Sequence, residues 1–468
     1  MRRVAAAGAI LAAILTAAPP RARGDSSQPP PSASASSASA PSSGGSPSTG
    51  RSMLFYEQSP TVSANPGATN PLPGTGMLGR LIGFTPESGV RIGGVWIGNS
   101  DYLFTGGEKP RTWSFNSLLV GSIDLDLKKM AGLPGAAVYC SVLQFNGENA
   151  NGKAGTIPGY DGLIGTTPLT RTELYELWWR QGLFNDKLIF RVGKQVTTID
   201  FNNVSRPIEV SDSARMIPAV TSLIYTPIFK NPAMIGTSPG YYNSAYGITA
   251  NWAPDKHFYV TYGFYDGALA SHVDTGLKEA PVLNGHYFTI GETGYGWLLG
   301  EKSLPGKTAV GGWVQTGEMY GPEEFQPGGF KPKYQVQEEG AQGAYTYASQ
   351  RIWFRHPGID NSGVSAFYQF AFNASNTMIA TRYFGIGATG FGLIPERPAD
   401  SMGAGLAWTW LNRRYGFRSN QAILQWYYQA HLVSSSFVQP VISYIPNPGA
   451  GTQYQGAVAA TMQLIVLF

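Results

Sequence analysis

The 468-residue chain has a single cysteine, Cys140, which excludes an internal disulfide framework and a cysteine-built metal site. Charge is also scarce. Asp, Glu, Lys and Arg make up 13% of the residues, where a soluble protein carries about 25%. The net charge of +4 is weak and scattered, which excludes a nucleic-acid-binding face. His257, His272, His286, His356 and His431 lie far apart and form no H-E-x-x-H. Past the N-terminal region no run of apolar residues is long enough for a spanning helix, which needs about 18 or more. Polarity comes instead from 59 glycines and from Ser, Thr, Asn, Gln and Tyr.

Sequences that imitate enzyme motifs fail on context. G-I-G-A-T-G (385–390) lies in an alternating strand pattern with no helix after it to hold a phosphate. G-T-S-P-G (236–240) puts a proline directly after its serine, which does not suit a nucleophile elbow. Glu323-Glu324 and Glu338-Glu339 fall in polar stretches and read as solvated surface rather than a glycosidase pair. No metal and no organic cofactor is expected. A secreted enzyme acting on polysaccharide is the alternative from another class.

Residues 1–24 read as a secretory signal peptide: Arg2 and Arg3, a short apolar run, then small residues around Ala22-Arg23-Gly24. Residues 25–73 are rich in Pro, Ser and Ala and read as a flexible arm, because they bury too little apolar surface to offset the entropy of ordering. Residues 74–468 read as one barrel domain.

From Val90 onward, segments of about ten residues alternate in polarity, the period-2 signature of strands. Sixteen are predicted, near 90–104, 116–127, 136–146, 173–181, 187–195, 244–253, 256–265, 286–297, 307–317, 342–355, 363–373, 381–391, 402–411, 421–432, 436–444 and 456–468. Their connections mostly alternate between short turns and long loops (147–172, 196–243, 266–285 and 318–341), with shorter loops after 373 and 411. Sorting by parity suits a transmembrane barrel, which has turns at one end and long loops at the other. The expected fold is all-β: a sixteen-stranded antiparallel transmembrane β-barrel with short periplasmic turns and long extracellular loops. In the last strand Val458, Ala460, Met462, Leu464, Val466 and Phe468 share one face, which is expected to meet lipid. That strand must pair with the first to remove both edges.

Three stretches carry a resemblance: G-V-R-I-G-G-V-W-I-G-N (89–99), L-Y-E-L-W-W-R-Q-G-L-F-N-D-K-L-I-F-R-V-G-K-Q (174–195), and V-I-S-Y-I-P-N-P-G with the closing M-Q-L-I-V-L-F. They resemble the carbohydrate-selective porin (OprB-type) family over residues 76–468. Members often open with a segment like L-L-G-D-W-G-G-x-R; residues 77–91 here lack its Asp and Trp. The resemblance implies a channel in the outer membrane of a Gram-negative bacterium, through which mono- and disaccharides diffuse passively. It also leans toward a monomer, although trimeric porins share the architecture. A general porin, or one for anions or organic acids, is the alternative within transport.

On predicted strands four and five, alternation places Glu176, Trp178 and Arg180 on one face, with Arg191 and Gln195 on the matching face next door. Tyr175, Leu177 and Trp179, with Leu188, Phe190 and Val192, form the apolar face. An arginine facing lipid at mid-bilayer would cost about 2–4 kcal/mol, so the charged face belongs in the lumen. Arg91, Arg351 and Arg355 are further lumen candidates. Guanidinium, carboxylate and an aromatic ring together suit sugar hydroxyls and the apolar face of a pyranose. The loop 196–243 is the candidate for folding inward, with Asp200, Asn202, Asn203, Arg206, Glu209, Asp212 and Arg215 as constriction residues.

Overall fold

Alternating polarity lets each strand give one face to hydrocarbon and the other to a polar interior. In the computed structural model this produces sixteen barrel strands: β1 Val90–Gly107, β2 Thr112–Asp126, β3 Ala136–Asn146, β4 Thr170–Leu183, β5 Leu188–Gln195, β6 Ala245–Trp252, β7 Phe258–Asp266 and β8 Tyr287–Leu299. They continue as β9 Leu304–Tyr320, β10 Gln337–Phe354, β11 Gly363–Asn373, β12 Ala380–Phe391, β13 Ser401–Leu411, β14 Asn420–His431, β15 Ser436–Ile445 and β16 Gln455–Leu467. The structure describes residues 56–58, 69–71, 75–164, 169–204, 208–209, 216–217, 221–240, 242–255, 257–271, 281–321, 337–357, 359, 362–433 and 436–468. The signal-peptide reading of 1–24 lies outside the described residues, as does most of 25–73. Within the latter, Tyr56–Gln58 pairs antiparallel with Thr69–Pro71.

Each strand pairs antiparallel with its neighbours, and β16 pairs with β1, so the sheet closes without an edge. Several ladders run past their predicted ends. β2 starts at Thr112 rather than near 116, because T-W-S-F continues the alternation with Trp113 and Phe115 outward and Ser114 inward.

The outward face of β16 is as expected: Met462 and Leu464 are exposed, while Ala457, Ala459, Thr461 and Ile465 are buried inside. On β14, Trp426 is exposed while Gln425, Tyr427 and Gln429 are buried. Trp408 and Trp410 on β13 stack at 5.2 Å. The interior is rich in neutral polar groups, which carry little desolvation cost when bonded to one another or to loop backbone.

One outward assignment is corrected. Tyr175 does not join the lipid-facing set but packs against the interior cluster of Val95, Leu118, Leu143 and Phe145. The cause is a register shift between Ser141 and Val142, where β4 carries an extra residue opposite β3. A bulge inserts one residue and so breaks the strict two-residue alternation.

Short turns sit at the periplasmic end. After β2 a one-turn helix, Leu127–Ala131, is capped by Asp126, whose carboxylate accepts from Lys128 N and Lys129 N at 3.0 and 3.2 Å. Between β4 and β5 the chain reverses through Phe184, Asn185 and Asp186, all left-handed. At the closing seam Phe468 N donates to Gly94 O, and Gly94 N donates to Phe468 O, both at 3.0 Å. A Cβ on Gly94 would stand 2.3 Å from Val120 O and 2.9 Å from the Phe468 ring. Gly94→Val is therefore expected to strain this seam by about 1–3 kcal/mol. The check is the temperature at which the folded, fast-migrating gel band is lost, which should fall; an unchanged temperature would contradict the prediction.

Candidate functional site

Two of the long loops turn into the barrel: loop 2 (147–169) and loop 3 (196–244). Loop 3 is held first at its root. Arg191 on β5 points inward and donates from Nη1 to both carboxylate oxygens of Asp200 at 2.9 Å. Both groups are almost fully buried. The Arg191 guanidinium lies 5.1 Å from the centre of the Trp178 ring, and Tyr139 stacks on Trp178 at 5.0 Å. Glu176 faces the same Arg191 and Asp200. Gln195 donates to Gly247 O at 3.0 Å and accepts from Thr249 at 3.1 Å. The strand reading therefore brings Glu176, Trp178, Arg191 and Gln195 together, and Asp200 joins them. In this arrangement Trp178 is only 3% exposed, packed behind the guanidinium.

The next residues of loop 3 meet β8 and β9. Glu292 accepts from Asn202 N at 2.6 Å, and also from Tyr259, Tyr345 and Tyr347 hydroxyls at 2.6, 2.8 and 3.1 Å. Lys307 Nζ lies 3.5 Å from Asn203 O. Four donors converge on this one buried carboxyl group and satisfy its oxygens. It fixes where the loop leaves the wall.

Further along, loop 3 reaches strands on another part of the wall. Gln425 Oε1 accepts from Ile224 N at 2.8 Å and Tyr225 N at 3.2 Å. Ser222 N donates to the Tyr427 hydroxyl at 3.1 Å, and Gln439 Nε2 donates to Ser222 O at 2.7 Å. Asn373 Nδ2 donates to Ala233 O at 2.9 Å. The wall is hollowed at this point: a Cβ on Gly405 would fall 2.4 Å from Leu223 and 2.8 Å from the Tyr225 hydroxyl.

Loop 2 packs beside it. Gln421 accepts from Ile157 N at 2.8 Å and donates to Pro158 O at 2.8 Å. Gln425 Nε2 donates to Tyr160 O at 3.0 Å. Asp161 accepts from Asn99 Nδ2 at 2.7 Å and from Leu163 N at 2.8 Å, and burial raises its pKa well above the usual carboxylate range. The two loops also bond to each other, Gly162 N to Ile224 O at 2.6 Å and Thr226 N to Gly159 O at 3.0 Å.

Toward the periplasmic end, Arg180 pairs with Asp186 at 3.0 Å. Arg91 stands opposite Asp124 in the ladder, and Asp124 also feels Arg180. Arg351 is buried on β10, with Nη1 donating to Ser365 Oγ at 3.1 Å. Arg355 instead braces the β12–β13 turn through Gly392 O and Leu393 O. Arg206, Asp212, Arg215 and the pair Glu323-Glu324 lie outside the described residues. Glu209 lies in a two-residue ribbon, Ile208–Glu209 with Met216–Ile217. Residues 385–390 sit inside β12, and Ser238 is buried within loop 3, where its hydroxyl meets Thr197 at 2.6 Å.

Loop 3 contains one buried ammonium. Lys230 Nζ donates to the carbonyls of Ser238 and Gly240, and burial pulls its pKa down to about 7. Packed, this group binds fewer protons than it does in water between about pH 7 and the ordinary lysine value near 10.4. The packed loop is therefore favoured above that window and loses ground as pH falls toward 7. Loop opening, seen as conductance fluctuation in planar bilayers, is expected to increase as pH falls from about 9 to about 7. Lys230→Met should flatten the profile, and an identical profile in the variant would refute the assignment.

The residues that sequence reasoning missed are those that hold the loops: Gln421, Gln425, Gln439, Glu292 and Asp161. Alternation marks the glutamines as interior, but an interior amide reads as water-facing until its partner is known.

A closed antiparallel barrel, apolar outside and polar inside with loops folded into the lumen, defines a porin of the outer membrane. The chain matches the family described as "Carbohydrate-selective porin, OprB family" over residues 119–468, and it belongs to that family. It is an outer-membrane sugar porin. Porin B of Pseudomonas aeruginosa is 23% identical over 427 residues, covering 82% of this chain and 88% of that protein. The high-pH structure of Pseudomonas putida OprB shares the fold, with a TM-score of 0.68 at 17% identity, over 84% of this chain and 96% of that one. The low-pH structure of the same protein gives 0.52 at 15% identity, with the same coverage.

Proposed function

We propose that small sugars, mono- and disaccharides, pass down their gradient through a lumen narrowed by loops 2 and 3. Selection then occurs where the loops narrow the lumen, in front of a wall and loop root built by the buried Glu176, Arg180, Arg191, Asp200 and Asn202, with the half-buried Arg91 toward the periplasmic mouth. The observation that carries this reading is the bonding of loop 3 to several separate strands through buried groups, which holds a constriction in place. In this reading Trp178 orients Arg191 from behind, and Gln195 steadies the end of β5.

The pairing of charges favours neutral solutes over anions. Arg191 is matched by Asp200, Arg180 by Asp186, and Arg91 faces Asp124. Matched charges cancel most of the long-range field that would steer anions. Binding must be weak, because a site at millimolar affinity (about −4 kcal/mol) releases its solute quickly. The reading leans toward a monomer, with a trimer as the alternative, since a lumen with its own pair of inward loops works in either state.

Liposome swelling with a graded saccharide series, combined with single-channel recording, tests the reading. Swelling that falls steeply beyond disaccharides, with current block by sugars, is expected. Anion selectivity without sugar block would overturn it.

A further inference from the structure

The two ends of the barrel differ in what they show to their surroundings. Turns that stand in water are normally built of Gly, Asn, Asp, Ser and Pro. The periplasmic turns here expose charged and polar residues, among them Lys128, Lys129, Asn185, Lys187, Glu301, Lys302 and Glu396, but their tips also carry bare apolar side chains. Phe184 between β4 and β5 is 76% exposed, Ile359 between β10 and β11 84%, and Val433 between β14 and β15 71%. Leu133 and Leu299 are exposed at two further turns. Beside the seam, the short helix Met77–Leu81 leaves Leu81 72% exposed. At the other end the exposed loop residues include Lys109, Arg111, Asn376, Arg413, Arg414 and Gln453; Val282 and Leu283 are apolar exceptions.

We propose that this periplasmic rim is seated in the inner-leaflet phospholipid, its turn tips immersed in the interface rather than standing in the periplasm. Two observations select lipid as the occupant. The tips continue the lipid-facing wall without a break, since Leu183 precedes Phe184, Leu298 precedes Leu299 and Leu432 precedes Val433, all exposed. They are spread over turns around the barrel, and one globular partner covering them all would also cover the pore mouth.

The test uses the full chain reconstituted in phosphatidylethanolamine–phosphatidylglycerol vesicles. In a Cys140→Ser background, Phe184→Cys, Val433→Cys and Arg413→Cys are each labelled with bimane, after heat-modifiable migration shows that the barrel has formed. A nitroxide carried high on the lipid acyl chain should quench the label at 184 and 433 several-fold more than aqueous iodide does, with the reverse at 413. In the unaltered protein, hydroxyl-radical footprinting should oxidise Leu283 and spare Phe184 and Ile359. Iodide quenching at 184 and 433 equal to that at 413, or ready oxidation of Phe184 and Ile359, would overturn the proposal.

Discussion

Gln425→Leu is expected to open the channel. The one amide serves both inner loops: its oxygen accepts from Ile224 N and Tyr225 N, and its nitrogen donates to Tyr160 O and Ser443 Oγ. Leucine fills a similar volume but leaves two amide hydrogens and a carbonyl buried without this partner. Each such group costs about 1–3 kcal/mol, so even the low end totals about 3 kcal/mol. At about 1.4 kcal/mol per tenfold, the packed arrangement loses about a hundredfold against opened ones. The barrel ladder itself is untouched, because β14 pairs with β13 and β15 through backbone. Conductance should therefore rise, and trisaccharides should enter liposomes, while gel mobility stays that of a folded barrel. Gln425→Glu separates the two loops, since a carboxylate still accepts from loop 3 but no longer donates to Tyr160 O. Parent-like conductance in Gln425→Leu would show that the loops are held elsewhere.

Arg191→Leu should have the next largest effect. It strands Asp200, a carboxylate with no exposed surface, and breaking a buried pair from one side costs about 3–5 kcal/mol. It also removes the cation from the Trp178 ring, a contact worth about 2 kcal/mol when desolvated. The root of loop 3 should loosen, giving noisy current and loss of sugar block. The double variant Arg191→Leu with Asp200→Leu removes both charges, so it should recover quiet current and, because neither charge is exposed to solute, most of the sugar block. Quiet current without recovery of the block would assign selectivity to the charges themselves. If Arg191→Leu together with Trp178→Ala left sugar flux and conductance unchanged, neither residue would stand at the constriction.

Parts of this arrangement were legible before any coordinates. Arg180 and Arg191 could be turned inward by energy alone, because lipid penalises a guanidinium. The positions of Trp426 outside and Gln425 inside follow from counting by two. Counting fails at Tyr175, where one extra residue in β4 shifts the phase, and a bulge leaves no mark in composition. Trp178 illustrates a second limit. Its direction is given by alternation, but its burial depends on Tyr139 from β3 on one side and Arg191 from β5 on the other.

The seating of the loops was beyond reach for a different reason. Ile224 and Gln425 are 201 residues apart, and nothing local to either announces the other. Loop 2 looked like any long polar connection, although Gln421, Gln425 and Asn99 bond it to the inner wall.

The amino-acid order alone determined that the chain forms a closed sixteen-stranded wall with lipid outside and polar groups within, because period-2 polarity is a local property and bilayer energetics read it strand by strand. The tertiary structure alone decided how that wall is filled. Only closure and register bring a glutamine on β14 against a backbone amide in loop 3, and only that meeting turns an interior polar residue into a clamp on the loop.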